Sequence, residues 1–472
     1  MEQITFGTDG WRAIIAKEFT VRNVARLTEG LVGWMEQEGH PKRIVIGYDC
    51  RFAGRLFAET VARVLLEKGV EVILSDRMVT TPMLALAARD LGTAAGVMIT
   101  ASHNPASYNG FKLKTSAGGP MGGEDLKTIE SLVPHQNSVP FDPTSFDFKM
   151  HGKFREVDLE SPYIKAIEAA FDMELLRKEA HNYAYDAMYG SGQFVMKRLF
   201  PSMMHFRCTV DPTFQGISPE PIARNLDAFS EYLVHHGNIQ CGLVTDGDAD
   251  RIGLMDGMGN FVDSHHIMLL LVHYLVHYRG KKGKVVTAFS TVTKLKDLCV
   301  HYGLPIEVVK IGFKYASEVM MKEPILFAGE ESGGMAVEGH IPERDGIWMA
   351  LLLMEFMAKT GKGINELIQE VYALVGPFVF KRNDLNLSMD KKLAVVERCE
   401  KGGVKAFGTY EVKSIETLDG FKFNLSDDSW IMIRPSGTEP VLRVYVQAAS
   451  HDQAAGIMKA ALKEIAEEMQ QT

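Results

Sequence analysis

Short apolar runs rich in β-branched residues alternate along this chain with stretches whose apolar residues recur at helical spacing. "RIVIGYD" (43–49), "VEVILS" (70–75) and "AAGVMIT" (94–100) predict strands, and "LFAETVARVLLEKG" between the first two predicts a helix that stops at Lys-Gly. Strands that alternate with helices of this length form βαβ units in parallel or mixed sheets. With 472 residues the chain exceeds one ordinary core, and roughly three domains are expected from length alone.

The alternation recurs three times and then changes. A Pro-, Ser- and Phe-rich stretch of low periodicity, "VPHQNSVPFDPTSFDFKMHGKF" (133–154), predicts a linker between domains. After "VGPFVF" strands and turns alternate, and "HDQAAGIMKAALKEIAEEMQ" predicts an amphipathic terminal helix. We therefore predict an α/β protein with three similar α/β domains of mixed sheets and a smaller C-terminal α+β domain. The expected bounds are 1–140, 155–255, 256–372 and 376–472.

Composition excludes several classes of function. A net charge of −9 argues against non-specific nucleic-acid binding, which needs a basic surface. The longest apolar run, "IWMALLLM" from Ile347, is too short to span a bilayer, so no membrane association is expected. The five cysteines show no CxxC spacing, and no secretory signal is visible at the N-terminus. These features predict a cytoplasmic protein.

Four apolar strands are each followed by a compact polar loop. "VMI" precedes "TASHNP" (100–105), "GLV" precedes "TDGDADR" (245–251), "ILF" precedes "AGEESGG" (328–334) and "WIMI" precedes "RPSGTEP" (434–440). Ligands of open α/β sheets bind outside the carboxyl ends of the strands. Four loops with complementary chemistry at such positions predict one shared site.

The loop "DGDADR" carries the clearest metal signal. Alternate residues of an extended segment point the same way, so Asp246, Asp248 and Asp250 are expected to converge on one cation. Carboxylates without Cys or His favour a hard ion, Mg²⁺ first. An EF-hand would need Gly and Glu where Arg251 and Gly257 stand. An aspartyl-nucleophile phosphatase and a solvated acidic turn remain open as alternatives.

The other loops are ambiguous taken singly. "RPSGTEP" offers a guanidinium, two hydroxyls and a glycine, the parts of a phosphate cradle, and Arg443 on the next strand could assist. "GEESGG" offers carboxylates and a hydroxyl suited to sugar hydroxyls. Either loop, like Ser102 and His103 in "TASHNP", could equally be an ordinary surface turn. No GxSxG sequence occurs, so Ser102 does not belong to a hydrolase nucleophile elbow.

Taken together and in order, "FGTDGWR" (6–12), "TASHNP", "YNGFK", "DGDADR", "GEESGG" and "RPSGTEP" resemble the α-D-phosphohexomutase family, the phosphoglucomutase/phosphomannomutase group. The resemblance covers nearly the whole chain and implies four domains around a central cleft, the first three alike. It implies reversible phosphate transfer between C1 and C6 of a hexose phosphate, with hexose 1,6-bisphosphate as intermediate and activator. Ser102 matches the family's phosphoserine, which as a phosphoryl carrier would divide the isomerisation into two transfers.

The resemblance also implies a role for each matching residue. Mg²⁺ would be held by Asp246, Asp248, Asp250 and the Ser102 phosphate, and Lys112 would act as base or proton relay. His103 would flank the nucleophile, with Arg12 and Arg251 supplying positive charge. Glu330 and Ser332 would bind sugar hydroxyls. The remaining expected substrate contacts are Lys314, Arg434, Ser436, Gly437, Thr438 and Arg443.

The preferred sugar is less defined than the reaction. "GEESGG" is closer to the form found in phosphoglucomutases, so glucose 1-phosphate and glucose 6-phosphate are the expected pair. Phosphomannomutase, phosphoglucosamine mutase and hexose-1,6-bisphosphate synthase are alternatives on the same scaffold. A non-catalytic sugar-phosphate sensor is an alternative of a different class. The expected assembly is a monomer or a homodimer.

Overall fold

The alternating runs of the sequence fold as the strands and helices that their periodicity predicts. We describe a computed structural model for residues 4–7, 9–426, 428–435 and 441–471, the last five by backbone alone. The chain divides into a first unit of Met1–Lys284 with Gly312–Leu367 and a second unit of Val285–Ile311 with Ile368–Thr472. The two units are described in turn.

The first sheet has six strands in the order β1-β5-β4-β2-β3-β6. The inner strands β4, β2 and β3 run parallel, and β5 pairs antiparallel with β4. Its strands are β1 (Trp11–Ile14), β2 (Arg43–Tyr48), β3 (Glu71–Ser75), β4 (Ala95–Ile99), β5 (Tyr108–Thr115) and β6 (Phe154–Val157). Its helices are α1 (Val21–Gln37), α2 (Gly54–Glu67), α3 (Thr81–Asp90) and α4 (Gly123–Ser131). The sheet is mixed, as predicted.

The stretch predicted to be a linker packs on this first layer. It forms two short 3₁₀ helices, Pro143–Ser145 and Phe148–Met150, and leads into β6, which pairs in parallel with β3. Phe146, Phe148 and Phe154 are half-buried against the first core. The phenylalanines explain the difference from a solvated linker, because each removes apolar area from water by packing there.

A second mixed sheet follows in the order β11-β10-β9-β7-β8. Its strands are β7 (Tyr183–Asp186), β8 (Met204–Phe206), β9 (Cys241–Thr245), β10 (Ile252–Asp256) and β11 (Phe261–Val262). Its helices are α5 (Glu160–Ala170), α6 (Met173–Glu179), α7 (Gly192–Leu199) and α8 (Asp227–His236), and 3₁₀ turns lie at Ala180–Asn182, Phe214–Gly216 and Ala223–Asn225. β9 is buried along its whole length and delivers the acidic loop.

The third run of alternation belongs partly to each unit. In chain order it comprises α9 (Ser264–His273) continued by a π-helical turn (Tyr274–Tyr278), β12 (Lys284–Ala288), α10 (Thr293–Tyr302), β13 (Ile306–Val309), α11 (Phe313–Lys322), β14 (Ile325–Gly329), β15 (Met335–Val337), α12 (Gly346–Thr360) and α13 (Ile364–Val375). β14 and β15 pair antiparallel in the first unit, and β12 and β13 pair in parallel in the second. The run "IWMALLLM" lies inside α12. Among the described residues no helix has both the length and the apolar character needed to cross a membrane.

The C-terminal part of the second unit is an antiparallel sheet in the order β16-β21-β20-β19-β18-β17. Its elements are β16 (Val379–Asn386), α14 (Met389–Glu400), β17 (Ala406–Phe407), β18 (Tyr410–Glu416), β19 (Phe421–Leu425), β20 (Trp430–Pro435), β21 (Val441–Ala448) and α15 (His451–Gln471). The predicted change from mixed α/β layers to an α+β layer is thus confirmed.

Candidate active site

Ser102 lies in the loop that leaves the carboxyl end of β4 and is almost fully buried. Its φ of 52° is in the left-handed region, which is uncommon for a residue with a side chain. The backbone N–H donates to Thr100 Oγ1 at 2.9 Å, and the Ser102 hydroxyl donates to Asp246 Oδ2 at 2.7 Å. The serine that follows β4 therefore meets the acidic loop that follows β9.

The three aspartates of that loop converge. Asp246, Asp248 and Asp250 are fully buried, and one carboxylate oxygen from each lies within 4.8 Å of the others. The expected convergence is found, but the expected extended backbone is not. Residues 247–249 form a turn in which Ala249 has a φ of 58°, and this turn brings the carboxylates together.

Gly247 allows this acidic loop to approach the serine loop closely. A β-carbon at position 247 would lie 2.5 Å from the carbonyl oxygen of Ser102. Any side chain there would therefore push the two backbones apart.

The residues present fit a hard divalent cation. Asp248 Oδ1 and Asp250 Oδ1 are buried without a hydrogen-bond partner among the described residues, and Arg251 Nε is 4.0 Å from the latter oxygen. A buried polar atom left without a partner is costly, so each such atom requires an explanation. Carboxylate oxygens are the ligands that Mg²⁺ and Ca²⁺ prefer.

Neighbouring carboxylates of the loop have opposite electrostatic surroundings. Burial, and then the charges of Asp248 and Asp250, raise the pKa of Asp246 well above its usual value. Burial also opposes ionisation of Asp248, but the ammonium of Lys112 and hydrogen bonds from Lys112 and Thr81 outweigh it and lower the pKa of Asp248. The difference arises because Lys112 contacts Asp248 and not Asp246.

Lys112 is the central cation of the site. Its side chain is fully buried, and Nζ lies 2.8 Å from Asp248 Oδ2, 3.0 Å from Asp250 Oδ2 and 3.0 Å from Asp9 Oδ2. Burial would lower the pKa of Lys112, yet these three carboxylates raise it. In this arrangement Lys112 is held as an ammonium.

Three further predicted residues, Arg12, His103 and Arg251, lie around the serine loop. Arg12 Nη1 donates to Asn104 Oδ1 at 2.8 Å, on the serine loop. His103 Nδ1 is 3.4 Å from Ser102 Oγ, and burial together with the positive charges of Arg251 and Arg12 holds the pKa of His103 well below its usual range. This imidazole is therefore neutral at physiological pH.

The predicted sugar loop follows β14 and touches the acidic loop. Ser332 Oγ donates to Glu330 Oε1 at 2.8 Å, and burial raises the pKa of Glu330. Arg251 and Gly334 form an antiparallel bridge that joins the two loops. Lys314, in the first turn of α11, lies with Nζ 5.1 Å from the Tyr315 ring. No hydrogen bond or ion pair of the described residues connects Lys314 to the acidic loop.

The predicted phosphate loop belongs to the second unit. Arg434 on β20 and Arg443 on β21 are directly opposite each other in the sheet. Arg434 Nε donates to Asp419 Oδ1 at 3.2 Å, and Arg443 Nε lies 3.9 Å from Asp384 Oδ2. The other predicted residues of this loop, Ser436, Gly437 and Thr438, lie outside the described residues.

Asp9 and Arg344 belong to the site and were missed by the sequence analysis. Arg344 Nη2 donates to Asp9 Oδ2 at 2.6 Å and to Asp250 Oδ2 at 2.7 Å, and Nη1 donates to Glu330 Oε1 at 3.3 Å. Arg344 thereby links the segment before β1 to the acidic loop and to the sugar loop. Asp9 stands within "FGTDGWR", a motif that had been noticed, and Arg344 stands in "PERDG" directly before α12.

Two positions that support the site were also missed. Thr81, at the start of α3, donates from Oγ1 to Asp248 Oδ2 at 2.5 Å, and its backbone N–H donates to the Asp248 carbonyl at 3.0 Å. Lys114 donates to Glu343 Oε2 at 2.5 Å, with both side chains fully buried. Lys114 is two residues after Lys112 on β5, so strand alternation could have placed both on one face.

Four segments of the chain match the four domains of one family. Residues 3–139, 161–259 and 263–375 match alpha/beta/alpha domains I, II and III of phosphoglucomutase/phosphomannomutase, and residues 385–464 match its C-terminal domain. These four domains together define a phosphohexomutase, an isomerase that moves a phosphate group. The chain belongs to the phosphoglucomutase/phosphomannomutase family, which confirms the resemblance seen in its motifs.

The names of similar proteins refer to several different sugars. A phosphoglucomutase/phosphomannomutase of Thermococcus kodakarensis is 28% identical, with 97% of each chain covered. A phosphoglucosamine/phosphogalactosamine mutase of Sulfurisphaera tokodaii is 30% identical, with 98% of this chain and 99% of the relative covered.

Solved structures agree on the fold. A Thermus thermophilus protein assigned as a phosphomannomutase is 32% identical, with a TM-score of 0.86 over 98% of this chain and 99% of that one. At 15% identity and a TM-score of 0.54, an N-acetylphosphoglucosamine mutase of Aspergillus fumigatus covers 98% of this chain and 96% of its own. The latter was crystallised with GlcNAc-6P and magnesium.

Proposed function

We propose that this chain interconverts glucose 1-phosphate and glucose 6-phosphate through a phosphoserine at Ser102 and a hexose 1,6-bisphosphate intermediate. The observation that carries the proposal is the 2.7 Å hydrogen bond from the Ser102 hydroxyl to Asp246, inside a buried trio of aspartates. A serine hydroxyl is a weak nucleophile by itself, and such surroundings favour its use as a phosphoryl carrier. We also propose that the enzyme acts in the cytoplasm, in keeping with its five cysteines, which show no CxxC spacing.

We propose Mg²⁺ as the cation, held by Asp246, Asp248, Asp250 and the Ser102 phosphate. Support comes from the two buried carboxylate oxygens that accept no hydrogen bond and from the magnesium in the Aspergillus fumigatus relative. When bound, the ion would neutralise charge that develops on the transferring phosphoryl group.

The proposed reaction exchanges one phosphate ester for another. The free hydroxyl of the hexose phosphate attacks the phosphorus of phosphoserine in line, the Ser102 ester bond breaks, and the serine oxygen leaves. One proton has to move from the sugar hydroxyl to the departing serine oxygen. Lys112, predicted as base or proton relay, is an ammonium here and would therefore act as a relay that accepts a proton only as it gives one up. The bisphosphate then rotates end over end within the site and returns its other phosphate to Ser102. A phosphoserine brings a charge of about −1.5 to −2, which Arg12, Arg251 and Lys112 would offset. Neutral His103 flanks the reacting oxygen.

Substrate contacts are proposed from two regions. Glu330 and Ser332 would bind two sugar hydroxyls, because their hydrogen-bonded side chains stand beside the acidic loop. Lys314 would reach substrate from the start of α11. The phosphate that is not reacting would be held by Arg434, Ser436, Gly437, Thr438 and Arg443.

The experiment is a set of coupled assays on glucose 1-phosphate, mannose 1-phosphate and glucosamine 1-phosphate, each with its 1,6-bisphosphate activator. Glucose 1-phosphate should give the highest kcat/KM. A higher kcat/KM for mannose 1-phosphate or glucosamine 1-phosphate would make that sugar phosphate the proposed substrate instead. The names of the relatives include mutases of both kinds. Net accumulation of bisphosphate without activator would indicate a synthase instead.

The Ser102→Ala variant separates an enzyme from a sensor. We expect it to lose turnover on all three sugars while keeping the circular dichroism spectrum and melting temperature of the wild type. Ser131→Ala, at an exposed position on α4, is the matched control and should stay fully active. Near-normal activity of Ser102→Ala would exclude the carrier role. Binding of sugar phosphates without turnover by the wild type would favour the sensor.

A further inference from the structure

Arg51 is a buried arginine whose two terminal guanidinium nitrogens both bond the serine loop. It follows β2, the strand next to β4, and its side chain is fully buried. Nη1 donates to the carbonyls of Pro105 at 2.9 Å and Tyr108 at 3.0 Å. Nη2 donates to the carbonyls of Ser102 at 2.7 Å and Asn104 at 2.6 Å. These four carbonyls run from the serine to the first residue of β5, so one side chain spans the loop.

A carboxylate and an aromatic ring complete the surroundings of Arg51. Nε lies 3.5 Å from Asp49 Oδ2, and the guanidinium carbon lies 5.0 Å from the centre of the Phe214 ring. Asp49 also accepts from Thr100 Oγ1 at 2.5 Å, and Thr100 Oγ1 accepts from the N–H of Ser102. The same network thus holds both peptide groups of Ser102, one through Thr100 and the other through Arg51.

This double attachment accounts for the backbone of Ser102. A non-glycine residue in the left-handed region persists when its surroundings over-determine it, and such residues concentrate at functional sites. The φ of 52° turns Ser102 Oγ toward Asp246. A guanidinium has five N–H donors; four go to the loop carbonyls, and the fifth, on Nε, is buried 3.5 Å from Asp49 Oδ2 without a hydrogen bond. The four terminal N–H donors of Arg51 are therefore occupied by the loop, and the Nε–H is buried beside Asp49.

We propose that Arg51 is a positioning residue, which acts on phosphoryl transfer through the serine loop and makes no contact with substrate. The proposal rests on the proposed carrier role of Ser102. Misplacing a reacting group by about 1 Å can reduce a rate about 100-fold, since effective concentration depends on orientation. Loss of the four hydrogen bonds from Arg51 should therefore slow phosphoryl transfer to and from Ser102. Binding of the sugar phosphate should stay unchanged.

The test compares wild type, Arg51→Lys and Arg55→Lys. Lysine keeps the charge but can bond fewer carbonyls, whereas Arg55 on α2 pairs with Glu59 and Glu156 and does not touch the loop. We expect Arg51→Lys to lower kcat about 10- to 100-fold with KM near the wild-type value. The rate of Ser102 phosphorylation by glucose 1,6-bisphosphate should fall in proportion, and Arg55→Lys should match wild type.

Amide hydrogen exchange supplies a readout that needs no turnover. In Arg51→Lys, the peptide covering residues 101–108 should lose protection while β2 and β4 keep theirs. Wild-type kcat, phosphorylation rate and loop protection in Arg51→Lys would overturn the proposal. So would a loss of kcat matched by an equal loss of folded protein or an equal rise in KM.

A milder variant covers the case in which Arg51→Lys does not fold. Thr100→Val removes the side-chain hydrogen bonds to Ser102 and Asp49 without introducing a charge. It should lower kcat less than Arg51→Lys does and leave KM unchanged. An unchanged kcat in that variant would count against the network. A wild type that turns over without phosphate on Ser102 refutes the carrier role itself, whereas a phosphorylated wild type with an equally fast Arg51→Lys refutes only the role of Arg51.

Discussion

At the residue scale, the site is a set of mostly buried charges in which each cation contacts several carboxylates. Lys112 contacts Asp9, Asp248 and Asp250, and Arg344 joins Asp9, Asp250 and Glu330. Buried charges are tolerated only when they are paired and hydrogen-bonded, so each cation here has to be met by several carboxylates. Asp248 Oδ1 and Asp250 Oδ1 accept no hydrogen bond from the described residues, so the pairing is incomplete at these two oxygens.

The first prediction concerns those oxygens. Asp248→Asn should weaken binding of Mg²⁺, or of Mn²⁺ used as a probe, at least about 10-fold, since even groups one shell away from a metal typically contribute that much. Titration calorimetry with each metal measures the effect. Asp90→Asn, at an exposed position at the end of α3, should bind as wild type does. Equal affinities in all three proteins would mean that Asp248 is not a metal ligand.

A second prediction concerns a buried lysine of the second unit. Lys422 lies with Nζ 4.3 Å from the Trp430 ring and donates to the Phe289 carbonyl at 2.9 Å, and burial lowers its pKa to about 8. Between this value and the ordinary 10.5, the unfolded chain binds more protons at Lys422 than the folded chain does. The contribution of Lys422 to the free energy of unfolding should therefore rise as pH increases from 8 to 10.5 and be constant below that window.

The comparison that isolates this contribution is wild type against Lys422→Met. Urea unfolding at several pH values should give a stability difference that shifts in favour of wild type above pH 8. For Lys413→Met, at an exposed position on β18, the difference in the free energy of unfolding from wild type should be the same at every pH. If the stability difference between wild type and Lys422→Met did not change with pH, burial would not lower the pKa of Lys422.

At the element scale, the common rule is a buried strand that ends in a polar loop. β4, β9 and β14 deliver Ser102, Asp246 and Glu330, as the sequence analysis predicted. What brings these loops into contact is local backbone geometry. Gly247 leaves room for the serine loop, and Ala249 turns the aspartates inward with a φ that alanine does not favour.

A third prediction tests the approach of the loops. Gly247→Ala would place a methyl group 2.5 Å from the Ser102 carbonyl oxygen and force the loops apart. We expect kcat to fall about 10- to 100-fold and stability to fall by about 1–3 kcal/mol from overpacking. Gly123→Ala is the matched control, because a β-carbon there meets nothing within 4 Å. Identical kcat in the two variants would show that loop spacing does not govern the reaction.

At the scale of the whole molecule, periodicity predicted the layers well and contacts between distant segments poorly. Short apolar runs indicated β2, β3 and β4 because these strands are buried on both faces, and helical spacing of apolar residues indicated α2. The change of pattern after residue 376 marked the α+β layer. Asp9 and Arg344 are 335 residues apart, and no local pattern reports a pairing over that separation. Arg51 was missed for a related reason: an arginine after a strand looks like a surface residue until its four carbonyl partners are known. The predicted domain bounds stay predictions.

The central claim is that Ser102 carries the phosphoryl group. The direct measurement is mass spectrometry of the intact protein, followed by peptide mapping, after incubation with glucose 1,6-bisphosphate and Mg²⁺. We predict one added phosphoryl group, located at Ser102, which disappears on addition of glucose 1-phosphate and is absent from Ser102→Ala. Turnover by a wild-type protein that never carries phosphate at Ser102, or carries it at another residue, would contradict the account.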